Sequence, residues 1–164
     1  IQAFAAVIKE RSSATLVLIG EGLSKDNAEL MALLQQTGLV VGEQVVLLGR
    51  RDDVPELMPA LDLHVLSSLA EGFPNVVAES MACEVPNVVT DVGDAAFIVG
   101  SYGWVVPRQN AQALGQAMNE ALAFLETPAA ADFKQACRQR VVDNFSLEKM
   151  IERYEETWRE ALRK

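Results

Sequence analysis

The chain has 164 residues, half of them apolar and 23% charged, the composition of one globular domain rather than of a disordered segment. Its formal charge of −9 argues against nucleic acid as a partner, because binding a phosphate backbone needs an excess of Lys and Arg. No run approaches the ~18 apolar residues of a membrane span, and Ile1–Ile8 is too short, and too soon followed by Lys9 and Glu10, to be a secretory signal.

Ile1–Glu10 has helical apolar spacing, and because the chain opens inside it, without Met, the sequence reads as part of something longer. Ala14–Gly20 is a continuous apolar run ending in glycine, the pattern of a strand buried on both faces. Ser24–Thr37 is amphipathic, with Ser24 as the expected N-cap and Gly38 as the stop. Gln44–Gly49 is a second strand, Val54–Leu61 a short helix and Leu63–Ser67 a third strand. Asn75–Cys83 is helical and Pro86–Thr90 a fourth strand; Trp104–Val106 is a fifth, beyond a loop containing Gly93 and Gly100. Three helices follow, over Ala111–Glu126, Ala129–Asn144 and Leu147–Leu162. In the last, Leu147, Met150, Ile151, Tyr154, Trp158 and Leu162 fall on one stripe, which suits either docking of a further domain or packing on this domain's own sheet.

Strands alternating with helices predict a single α/β domain over residues 1–164: a Rossmann-like parallel sheet with helices on both faces and a helical C-terminus. Ligands on such sheets bind beyond the carboxyl ends of the strands. Cys83 and Cys137 sit in apolar helical patterns and read as reduced thiols of a cytoplasmic protein. With one histidine and two separated cysteines, no metal-ligand spacing exists.

Chemistry concentrates between Ser67 and Cys83, where the third strand turns through Gly72 and Pro74 into a helix. Glycine allows close backbone approach to a ligand, and proline suits a first helical turn. The N–H groups around Asn75, Val76 and Val77 then form an anion site at the positive end of a helix dipole. Glu71 precedes this site and Glu79 lies one turn beyond Asn75 on the same face. An ionised carboxylate only accepts hydrogen bonds, so its two oxygens suit a vicinal diol. Acids on both sides of an anion-binding turn match a nucleotide sugar, with hydroxyls at both ends and phosphate between. A capping or solvated role is the competing reading for each acid taken singly.

Glu71 through Glu79 reads Glu-Gly-Phe-Pro-Asn-Val-Val-Ala-Glu and resembles the Glu-x7-Glu motif of retaining family 4 glycosyltransferases, the glycosyl transferases group 1. The likeness extends through Leu47–Met58, Leu61–Ser67, Met81–Gly93 and Gly103–Pro107. It implies the C-terminal half of a two-domain enzyme of the B-type fold, lacking here its first strand. By that likeness Glu79 would accept hydrogen bonds from the donor ribose, and Glu71 would orient the transferred sugar as the catalytic carboxylate. Backbone N–H groups of Gly72, Phe73, Asn75 and Val76 would meet the sugar and diphosphate, with the base near Arg50, Arg51 and Asp52.

The family's account leaves the departing diphosphate to help deprotonate the acceptor on the same face, so that anomeric configuration is retained. No cofactor or metal is expected: the chain has no Asp-x-Asp, and Asp52-Asp53 and Asp91-x-x-Asp94 read as loop acids. The expected partners are a nucleotide-sugar donor and a glycan, lipid-linked or small-molecule acceptor, the latter held by an absent N-terminal domain. Location is expected to be cytoplasmic, any peripheral membrane contact belonging largely to that other half.

Two departures stand out. The Arg and Lys that clamp the diphosphate in the family lie on the absent first strand and loop, and neither Arg50 nor Arg51 can be assumed to replace them. Phe97 stands where relatives often carry Glu, a change that could reshape the sugar pocket or mark relaxed function. An epimerase-type nucleotide-sugar enzyme and a non-catalytic binding module are the alternative functions.

Overall fold

A computed structural model describes residues 1–163. Five parallel strands, β1 (Leu16–Ile19), β2 (Val45–Gly49), β3 (His64–Leu66), β4 (Asn87–Thr90) and β5 (Gly103–Val106), alternate with helices along the chain. The helices are α1 (Gln2–Glu10), α2 (Ala28–Thr37), α3 (Val54–Leu57) with a following 3-10 turn, α4 (Asn75–Ala82), α5 (Ala95–Val99), α6 (Ala111–Leu125), α7 (Ala130–Phe145) and α8 (Leu147–Ala161).

Hydrogen bonding joins the strands in two groups, β1-β2 and β3-β4-β5. Within each group the strands are parallel and joined by helical crossovers, as in a doubly wound sheet. All four residues of β4 are buried, as expected of a strand with neighbours on both edges and helices on both faces. Side chains alternate across it. Val88 joins an apolar layer with α1, α2 and α6, through Phe4, Val7, Leu34 and Met118. Val89 joins the opposite layer with α4, α5 and α7, through Val77, Met81, Ile98 and Val141.

Two expectations need correction, and one alternative left open by the sequence is excluded. The α2 helix is capped by Asn27, not Ser24: the Asn27 side chain accepts from the Leu30 N–H at 3.1 Å, while Ser24 accepts from the Asp26 N–H in a tight turn before it. Gly38 does end that helix, in the left-handed conformation. The Gly93–Gly100 loop contains the helix α5, whose Ala95, Ile98 and Val99 are buried although five residues are too few to show a helical period. The stripe on α8 does not pack on the domain's own sheet: among the described residues none of α8 is buried, and Leu147 and Trp158 are each 62% exposed.

Candidate active site

The turn from β3 into α4 carries Glu71, Gly72, Phe73, Asn75, Val76 and Glu79 together at the carboxyl end of the sheet. Glu71 and Glu79 are both exposed, with Val77, Ser80 and Met81 buried on the inner face of the same helix. Pro74 is the N-cap and has no N–H to offer. Val77 falls outside the anion site expected from the sequence: its N–H donates to the Pro74 carbonyl at 3.0 Å, leaving those of Asn75 and Val76 at the helix start.

Neighbouring strand ends hold this turn. Thr90, at the end of β4, donates its hydroxyl to the Ser68 carbonyl at 2.8 Å. The N–H of Asp94, just past Gly93, donates to the Gly72 carbonyl at 2.9 Å. Arg108, beyond β5, donates to the Leu69 carbonyl at 3.3 Å. Glu71 itself accepts from the Ser68 hydroxyl at 2.6 Å, which fixes one carboxylate oxygen.

Thr90, Gly93 and Arg108 were not legible as neighbours of this turn, since each meets it through a contact made by the topology. A local pattern offers no sign of it. Gly93 was visible only as a loop marker. Ser68 lies within the turn itself and meets Glu71 three residues on.

Phe97 has a packing reason. Its ring meets Phe145 edge-on with centroids 5.6 Å apart, and Phe73 meets the same Phe145 ring at 5.7 Å. Arg140 donates from Nε to the Ile98 carbonyl at 2.7 Å and from its terminal nitrogen to the Phe97 carbonyl, holding α5 against α7. Phe97 thus belongs to a wall with Phe73 and Phe145 beside the Glu71 turn, and remains 60% exposed.

Arg50, Arg51 and Asp52 lie after β2, in the other strand group. Arg51 is already engaged: its guanidinium grips Asp53 through two bonds, at 2.7 and 2.5 Å, which lowers the Asp53 pKa and raises its own. No cluster of three or more potential metal ligands occurs among the described residues.

A family model described as Glycosyl transferases group 1 matches residues 1–123. The chain belongs to this family. It is 30% identical over 166 aligned residues to the N-acetyl-alpha-D-glucosaminyl L-malate synthase of Bacillus anthracis, covering 99% of this chain and 42% of that enzyme. Among solved structures, a glycosyltransferase from Rickettsia africae superposes with a TM-score of 0.84 at 23% identity, over 98% of this chain and 44% of its own. Anabaena HepE in complex with UDP and glucose superposes with a TM-score of 0.77 at 25% identity, over 94% of this chain and 44% of its own. This group 1 glycosyltransferase chain therefore spans less than half the length of the relatives it matches. None of its described helices is long and apolar enough to cross a membrane.

Proposed function

We propose that this chain is the C-terminal, donor-binding domain of a retaining family 4 glycosyltransferase that uses a uridine diphosphate sugar. The observation that carries the reading is the start of α4: open N–H groups at Asn75 and Val76, set between the exposed carboxylates of Glu71 and Glu79. HepE, bound to UDP and glucose in its crystal structure, supports uridine as the base.

In this reading Glu79 accepts hydrogen bonds from the ribose diol, and the N–H groups of Gly72, Phe73, Asn75 and Val76 face the sugar and diphosphate. Glu71, steadied by Ser68, orients the transferred sugar. Arg50, Arg51 and Asp52 sit near the base; with Arg51 held by Asp53, Arg50 is the arginine we place toward the ligand. No metal enters this scheme.

The glycosyl group leaves the diphosphate for an acceptor hydroxyl, whose proton passes to the departing diphosphate on the same face. Configuration is therefore retained. The protein contributes positioning and stabilisation of the departing charge. The acceptor, a glycan, a lipid-linked sugar or a small molecule, is held by a second domain of a cytoplasmic full-length protein.

Calorimetric titration of the full-length protein with UDP, GDP and ADP, repeated on Glu79→Ala, tests the proposal. We expect UDP to bind, and the variant to lose the ~1.5–3 kcal/mol typical of hydrogen bonds to a charged group. Absence of nucleotide binding by the wild-type protein would overturn it.

A further inference from the structure

Behind Glu79, on the inner face of α4, lies a set of polar side chains that the proposed chemistry does not use. Ser80 and Asn87 are both wholly buried, an unusual place for either residue type. Asn87 opens β4 and is the direct register partner of His64 on β3, which sets both side chains on the sheet face that α4 covers. The Asn87 Nδ2 donates to the Val85 carbonyl at 3.1 Å, which turns its Oδ1 toward the other two. That oxygen lies 2.6 Å from His64 Nδ1 and 2.9 Å from the Ser80 hydroxyl. Since Oδ1 can only accept, His64 carries its proton on Nδ1. The single Ser80 proton is shared between Asn87 Oδ1 and the Val77 carbonyl, also 2.9 Å away.

These bonds differ in kind from the apolar contacts of Val77 and Met81 around them. Hydrophobic packing is non-directional, so by itself it resists rotation or sliding of a short helix weakly. A hydrogen bond weakens steeply outside a narrow range of distance and angle. Breaking one inside the core leaves a buried polar group unpaired. The set therefore fixes how α4 is turned and how far it advances along β3 and β4. Ser80 is bonded directly to Glu79 in the chain, about 100° round the helix from it, so whatever fixes Ser80 fixes Glu79.

We propose that His64, Asn87 and Ser80 are positioning residues for the donor site: a buried polar clamp joining β3, β4 and α4 that holds Glu79 in register with the ribose. The proposal rests on the reading of Glu79 as the ribose ligand.

The test is a double-mutant cycle on the full-length protein, with UDP as the titrant and Glu79→Ala and Asn87→Val as the two changes. Asn87→Val should weaken UDP binding by about fivefold, equivalent to about 1 kcal/mol, in the wild-type background. In the Glu79→Ala background it should cost nothing further, because the carboxylate it positions is gone. Equal weakening in both backgrounds shows a general structural role and overturns the clamp. So does unchanged affinity in an Asn87→Val protein that still unfolds cooperatively. Should that variant fail to fold, Ser80→Ala supplies the same cycle with a smaller change. If Glu79→Ala leaves UDP binding intact, the ribose assignment itself has failed. If the wild-type protein binds no UDP, the nucleotide reading fails before the clamp is reached.

Discussion

Gly93 and Gly72 meet backbone to backbone. A β-carbon on Gly93 would stand 2.2 Å from the Gly72 carbonyl oxygen and 2.5 Å from that of Glu71. Gly93 also has a φ of +50°, a conformation that costs other L-residues about 1–2 kcal/mol. Gly93→Ala should therefore part the loop after β4 from the Glu71 turn and break the bond from the Asp94 N–H to the Gly72 carbonyl. We expect a lower unfolding midpoint and UDP affinity reduced by about tenfold or more, about 1.4 kcal/mol. Unchanged UDP affinity in calorimetry would show that this contact does not shape the site.

Glu84 sits in the left-handed region at the end of α4, with φ of 62°. The helix closes there through bonds from Val85 N–H to the Ser80 carbonyl and from Glu84 N–H to the Met81 carbonyl, both 3.0 Å. Only a glycine takes that conformation without steric cost. Glu84→Gly should therefore stabilise the protein by about 1 kcal/mol, read as a higher urea midpoint at unchanged slope. A lower midpoint would mean that the Glu84 side chain makes a contribution larger than its backbone strain.

His64 titrates below its ordinary range, chiefly because burial disfavours its charged form; the bond to Asn87 offsets part of this. The folded state thus holds His64 neutral where the unfolded chain, with a pKa of about 6.5, already binds a proton. Across the window between those two values the unfolded state carries more protons, so stability rises with pH and levels off above it. Urea unfolding at about pH 5.5 and about pH 7.5 should show the lower stability at the acid end, with His64 contributing at most about 1.4 kcal/mol per pH unit. His64→Leu should flatten that part of the slope. An identical slope in the variant would remove His64 as its source.

The two thiols should differ in reactivity. Cys137 is buried, and burial pushes its pKa up to about 12, against a weaker opposing effect of hydrogen bonding. Its Sγ donates to the Tyr102 carbonyl at 3.4 Å. Cys83 is only partly buried, at the end of α4. Since the thiolate is the nucleophile, iodoacetamide should modify Cys83 in the native protein and reach Cys137 only in denaturant. Mass spectrometry reads the order directly; early labelling of Cys137 would mean that α7 opens readily.

The strands were legible because β1, β2 and β4 are short apolar runs closed by glycine or polar residues, and no helical period competes with them. Failures came where the deciding contact lay elsewhere. Ser24 and Asn27 are both good caps by residue type, and the choice rests on Asn27 Nδ2 also reaching the Gly22 carbonyl at 2.9 Å. The acid pair could be read because Glu71 and Glu79 are neighbours in sequence across one turn. What holds that turn could not. Ser68 meets Thr90, Gly72 meets Asp94 and Leu69 meets Arg108 through partners 22 to 39 residues apart, and only strand register brings those pairs together.

The same three tethers have a consequence for the opposite side of the loop. In a trans peptide the C=O and the following N–H point in opposite directions. Drawing the oxygens of Ser68, Leu69 and Gly72 toward β4 and β5 therefore turns the N–H groups of Leu69, Ala70 and Phe73 away from the protein. In the donor-site reading proposed above, those N–H groups stand in place before an anion binds, so little ordering cost remains to be met.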